Sequence, residues 1–258
     1  MLIAAWCLLP VSWMVVASVR QPGEVYADSL WPQHGTLRNY AEAFAPVNSL
    51  LEGLAHSFGI ASFVTAVVLL LSASAGYALA RLRFPGHGVV IGAILAASML
   101  PAASLLTPLF ALFSRIGWAG TFQALVVPDI ALALPFAVIT LGAFFDRLPW
   151  ELEDAALIDG CSRAQAVTRV LLPLMTPAIV TVGLLTFIVT WNEYLIASVL
   201  SVEQTITVTV VIANFSAELT GAAVTMAAGV IAAAPLVVLA LMFQRRITAG
   251  LTAGASTG

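Results

Sequence analysis

A chain of 258 residues that is 61% hydrophobic and only 9% charged, with mean hydropathy +1.02, has too few polar side chains to cover a water-soluble domain, where about a quarter of residues are charged. Its formal net charge of -3 offers no basic face to nucleic acid. All ten basic residues are arginine, and a Walker A phosphate loop needs its lysine, so if ATP drives this protein another subunit hydrolyses it.

In hydrocarbon every backbone N–H and C=O must be paired within the chain, which leaves helices or a closed barrel. The apolar runs here are long and continuous rather than alternating, which predicts helices. Six runs approach the roughly 20 residues a span needs: 2–19, 58–80, 88–113, 121–145, 176–200 and 222–243. The first has no basic residue ahead of it and no clear small-residue cleavage site behind it, and is read as a retained helix rather than a signal peptide.

Arginine placement sets the expected orientation. Arg81, Arg83, Arg147, Arg163, Arg169, Arg245 and Arg246 fall in the loops after the second and fourth runs and in the C-terminal tail, against Arg20, Arg38 and Arg115 on the other side. Cytoplasmic loops carry the basic excess. The expectation is a multi-pass protein of the cell membrane with both termini cytoplasmic and with 21–57, 115–120 and 201–221 outside.

The first external loop, with Trp31, Pro32, Asn39 and Tyr40, is expected to be ordered without forming a domain. No repeat or low-complexity linker divides the chain. Its parts are 1–57 (first helix and external loop), 58–243 (a five-helix core containing the cytoplasmic loop 146–173) and the tail 244–258. Pro101, Pro108, Pro128, Pro135 and Pro235 fall inside the runs, where each removes a backbone donor and tends to kink a helix. Cys7 and Cys161 lie far apart at no metal or redox spacing and are read as small apolar fillers.

The cytoplasmic loop is the most informative stretch and reads as two short helices. Pro149 suits the start of the first. Glu151, Glu153 and Asp154 follow, where negative charge complements the dipole. Gly160 is placed to end it. Ser162 and Gln165 have capping-box spacing for the second helix, which Pro173 is expected to terminate. Ala155, Ala156 and Gly160 permit close approach of a partner, with Leu157 and Ile158 adding apolar contact. The first helix is thus a docking knob or an amphipathic connector at the membrane interface.

Asp154, Ala155, Ala156, then Gly160, then Val170, Leu171, Leu172 and Pro173 resemble the E-A-A…G…I-x-L-P signature of ABC importer permeases, with Asp for Glu and Val for Ile. Ala78 to Arg81 with Phe84, Pro85 and Gly86 looks like carbohydrate permeases of the maltose-transporter type. So do Pro108, Gly117, Thr121, Pro135, the run Trp191 to Tyr194, and the ending from Gln244 to Gly254. The likeness covers nearly the whole chain and is greatest to the second, shorter permease of such pairs. Ile212 to Phe215 with the Gln-Arg-Arg ending is similar to mycobacterial trehalose permeases.

The resemblance implies the type I importer permease fold with six transmembrane helices. It implies a role in sugar uptake, with a disaccharide such as trehalose or maltose, and coupling to ATPase subunits through 151–173. The coupling residues it implies are Glu151, Glu153, Asp154, Ala155, Ala156 and Gly160. The implied partners are a second permease, two ATP-binding subunits and an extracytoplasmic sugar-binding protein, besides membrane lipid. This chain would hold no cofactor; ATP and Mg would sit on the ATPase. It would not itself be an enzyme.

Ionisable groups within spans are costly and mark paths or partners. Asp129, and Glu193 beside Trp191 and Asn192, are the candidates. A Trp face with a neighbouring carboxylate and amide suits a sugar, so all four are candidates for the translocation path; interhelical hydrogen bonding and simple packing are the structural alternatives. Asp129 and Glu193 also admit an ion-coupled secondary transporter, which would leave the cytoplasmic loop unexplained. His34, His56 and His87 are isolated, and the sequence contains no HExxH.

Overall fold

The computed structural model describes residues 2–21, 24, 31–82, 84–215 and 221–255, with side chains for 6–21, 24, 31–82, 84–215 and 221–243. Arg83 and Ser216 lie outside the described residues, as do the side chains of Gln244, Arg245 and Arg246. The described residues are helical, with no strand among them. The helices are α1 (Leu2–Ser18), α2 (Arg38–Ala43), α3 (Leu50–Arg81), α4 (His87–Ser98), α5 (Ala102–Arg115), α6 (Phe122–Arg147), α7 (Glu151–Ile158), α8 (Arg163–Ala166), α9 (Leu172–Leu174), α10 (Thr176–Trp191), α11 (Leu195–Leu200), α12 (Val208–Asn214) and α13 (Ala222–Ala255).

Three segments are long and apolar enough to cross a membrane: α3, α6 and Ala222–Phe243 of α13. Two bent pairs, α4 with α5 (92°) and Arg163–Leu174 with α10 (78°), bring the number to five if each is one span. The 17-residue α1 is apolar but shorter.

Two of the six expected runs are therefore not single straight helices. The third breaks at Met99–Pro101 because Pro101 has no N–H to continue the ladder and disfavours helical backbone at Leu100; Pro101 is the extended N-cap of α5. The other in-span prolines, Pro108, Pro128, Pro135 and Pro235, lie within continuous helices. The fifth run stops at Trp191 and restarts as α11.

The first core cluster joins α3, α5, α6, α10 and α11 through Val64, Val68, Phe113, Leu141, Phe145, Val182, Ile196 and Leu200. A second joins α3, α10, α12 and α13 through Leu50, Ala61, Trp191, Val208, Val211 and Val224. In lipid no water drives helices together, so small residues that let backbones touch do much of the work. A Cβ at Gly76 of α3 would sit 2.9 Å from the Gly142 nitrogen of α6, so this pair sets how closely the two helices cross. Large apolar side chains such as Leu70, Val89, Val189 and Leu241 remain exposed, as a surface facing lipid requires.

The loop after α1 is ordered where it is described. Asn39 of α2 is buried and donates from Nδ2 to Ser18 O (2.8 Å) and Arg20 O (2.7 Å), closing the C-terminal end of α1. Tyr40 Oη lies 2.7 Å from Ser18 Oγ.

Candidate functional site

The helix α7 forms where the sequence places it, with one shift. Trp150 is its N-cap, so Pro149 precedes the helix rather than opening it. The C-terminus is a Schellman motif: Gly160 adopts φ +87°, its N–H donates to Leu157 O (3.1 Å) and that of Cys161 to Ala156 O (3.0 Å). The capping box follows. Gln165 N donates to Ser162 Oγ (3.3 Å) and Ser162 N to Gln165 Oε1 (2.8 Å). Pro173, however, does not stop the second helix. A wide π turn over Val167–Leu171 absorbs the missing donor ahead of it, and the chain turns only at Met175.

Helical phase divides the acidic and small residues of α7 into two sets. Glu151, Asp154, Ala155 and Ile158 recur at i, i+3, i+4 and i+7 and lie exposed. Glu153 and Ala156 point inward and are buried. Glu153, expected among the coupling residues, is turned away from the outer face: its Oε1 accepts a 2.6 Å hydrogen bond from Tyr77 Oη of α3. Ile158 is 85% exposed, an apolar side chain left largely open by the described residues.

Around α7 the ends of three helices are tied together. Arg81, at the end of α3 and buried, donates from Nη2 to Phe145 O (3.0 Å) and Leu148 O (2.6 Å), the last carbonyls of α6. Its guanidinium lies 4.2 Å over the Trp150 ring, and Tyr77 packs edge-on to Phe145 at 5.7 Å. The sequence did not single out Tyr77, and Arg81 stood out there for its charge and as part of the Ala78–Arg81 resemblance, not for what it contacts. The signal was a Tyr and an Arg four residues apart, hence on one helix face, at the end of a span.

The other candidate group is arranged differently. Trp191 is 3% exposed and stacks on Phe187 at 5.8 Å. The aromatic face that a sugar would need is thus covered in this structure, and Trp191 packs as part of the second core cluster. Glu193 caps α11, its carboxylate accepting from Ile196 N (2.7 Å) and Ala197 N (3.0 Å), while its backbone carbonyl accepts from Thr209 Oγ1 (2.7 Å). Asp129 is buried in α6, within electrostatic range of Glu193. Only Asn192 is exposed; its Nδ2 donates to Ile188 O at 2.7 Å. Among the described residues no cluster of His, Cys, Asp and Glu is arranged to hold a metal.

Residues 69–252 match the family described as the binding-protein-dependent transport system inner membrane component. The chain belongs to this family. Its members are transmembrane permease subunits of ABC importers and are not themselves enzymes. The chain is similar along its whole length to the trehalose transport system permease protein SugB of Mycobacterium tuberculosis, at 41% identity covering 100% of this chain and 95% of the relative. It is 38% identical to the trehalose/maltose transport system permease protein MalG of Thermococcus litoralis, covering 100% and 94%. A chain in the crystal structure of a bacterial ABC transporter involved in the import of the acidic polysaccharide alginate has the same fold, with TM-score 0.81 over 95% of this chain and 92% of that one at 22% identity. The permease is thus a membrane protein of the all-helical importer class.

Proposed function

We propose that this chain is one of two permease subunits in an ATP-driven importer of a sugar, with a disaccharide such as trehalose or maltose as its cargo. The observation that carries the reading is end-to-end similarity, at 41% and 38% identity, to permeases named for trehalose and for trehalose and maltose. The other subunits are a second permease, two ATP-binding subunits that hold ATP and Mg, and an extracytoplasmic sugar-binding protein. A chain without lysine fits that division, since the phosphate-binding Lys lies elsewhere.

In this reading six segments span the membrane and both termini are cytoplasmic, as the arginine bias favours. The loop 146–173 faces the ATPase. Exposed Glu151, Asp154, Ala155 and Ile158 form the contact, Gly160 ends the docking helix, and Glu153 and Ala156 seat it from behind. Asn192 contributes an exposed amide to the path, while Asp129 and Glu193 shape the helices beside it. Moving a two-state path from 1:99 to 99:1 takes about 5.5 kcal/mol of differential interaction, which a docked helix with several buried contacts supplies.

Affinity purification of the detergent-solubilised chain tests this. The expected result is co-purification of a second permease, a nucleotide-binding ATPase and a sugar-binding protein. A chain that purifies alone and moves solute in proteoliposomes under a proton gradient overturns it.

A further inference from the structure

We infer that Tyr77 and Arg81 are positioning residues that fasten α7 to the ends of α3 and α6, so that a displacement of α7 is delivered to both long helices as one rigid body. This rests on the reading of α7 as the ATPase-docking helix and adds how its motion enters the membrane.

The argument begins with length. A helix of eight residues is far below the roughly 12–15 at which an isolated helix becomes even marginally stable, so what holds α7 must come from its neighbours. Its outer face is exposed, with no partner among the described residues, and its two covalent connections are a Pro149–Trp150 entry and a Gly160 exit. Position is therefore set by the inner face, where Leu152 packs on the core and the segment 163–171 lies alongside, and two further contacts tie α7 to α3 and α6.

The first is the Tyr77–Glu153 hydrogen bond at 2.6 Å. A buried carboxylate is costly unless hydrogen-bonded, and bonds to charged groups are about twice as strong as neutral ones. Glu153 Oε2 is buried and has no partner among the described residues, so removing the Tyr77 hydroxyl leaves the whole carboxylate without a side-chain donor. The second is Arg81. One Nη2 holds the last carbonyls of α6 while the guanidinium plane covers Trp150, the N-cap of α7. Tyr77 and Arg81 are four residues apart and address the same corner, so α3 grips both the start and the inner face of α7. The Tyr77 ring also packs on Phe145, which brings the end of α6 into the same unit.

The test uses the complete complex in nanodiscs, with the native cysteines replaced and spin labels at Asp159→Cys, the C-cap of α7, and Ser74→Cys on α3, both exposed positions outside the proposed ATPase contact. Distances are read with and without Mg-ATP trapped by vanadate, alongside ATP hydrolysis, so no transported sugar is required. The expected result is one narrow distance that nucleotide does not change. Tyr77→Phe should shift the balance of seated to unseated α7 by about tenfold or more, the equivalent of one charged hydrogen bond. That appears as a second, longer distance together with ATP hydrolysis no longer tied to helix movement. Glu153→Gln, whose amide oxygen still accepts from Tyr77, should keep a single distance.

If Tyr77→Phe fails to assemble, Arg81→Lys provides the second measurement, because an ammonium cannot both stack on Trp150 and hold two carbonyls. An unchanged single distance in both assembled variants overturns the inference. So does a broad, nucleotide-dependent distance in the unmodified pair. Asp154→Arg on the outer face separates the two readings. If it leaves the ATPase bound and hydrolysis coupled, the docking assignment of α7 fails; if it strips the ATPase while Tyr77→Phe is silent, only the tie fails.

Discussion

At the corner below α3 and α6, the acidic residues of α7 divide by helical phase: Glu153 turns in to Tyr77, while Glu151 and Asp154 stay outside with Ile158. At the break after α10, Trp191 and Glu193 are both used internally, one stacked on Phe187 and the other capping α11. Both stretches carry aromatic and acidic residues in sequence, and both read as sites. The difference lies in what the fold leaves unsatisfied. An exposed apolar and acidic face with no partner among the described residues points to another subunit; a tryptophan and a carboxylate whose contacts are already made point to architecture.

The strongest way to break this contrast is to truncate one residue on each side and compare thermal unfolding in detergent. Trp191→Ala should cost about 3–5 kcal/mol, as emptying a packed aromatic site does, whereas Ile158→Ser should stay within about 0.5 kcal/mol because its side chain is 85% exposed. Equal losses would mean that Ile158 is packed or that Trp191 is not.

A smaller effect sharpens the reading of Glu193. Glu193→Ala removes a helix cap, which is worth about 0.5–2 kcal/mol, and should lower the melting temperature. Glu193→Gln keeps an acceptor oxygen, should recover most of that loss, and should leave transport close to wild type. A Gln variant that is stable but transport-dead would return Glu193 to the path.

The smallest effect lies outside the spans, where the His34 imidazole, with Nδ1 3.0 Å from Glu24 Oε1, holds the Glu24 carboxyl below its ordinary range chiefly through that hydrogen bond. A lowered folded-state value means stabilisation that is present above the ordinary Glu range and is lost as pH falls through the depressed value. His34→Ala should remove it, so the melting difference between wild type and variant should shrink toward zero on acidification and with added salt. A difference that grows at low pH would show that His34 acts through another group.

How much was legible depended on the range of the interaction. The Ser162–Gln165 box and the Gly160 stop are closed by residues within a few positions of one another, and both formed as the local pattern implied. The π turn before Pro173 and the bend at Pro101 were half legible: a missing donor tells where a helix is disturbed but not whether the turn widens or the chain breaks, which neighbouring helices settle. Tyr77 was not legible as a site residue at all. Its partner, Glu153, lies 76 positions along the chain, and a tyrosine near the end of an apolar run carries no mark of what its hydroxyl reaches.

Composition and local spacing alone determined that the chain is helical and suited to lipid, that it lacks a phosphate-loop lysine, and that a short capped helix stands in its most polar loop. Those properties follow from hydrophobicity, backbone geometry and neighbours close in sequence. Only the tertiary structure decided which face of α7 is free, that Arg81 closes α6 rather than standing in solvent, and that Trp191 belongs to the core. Each depends on which helices cross and how closely. The Gly76–Gly142 contact sets one such crossing, bringing α3 against α6 and, at their shared end, Tyr77 and Arg81 against α7.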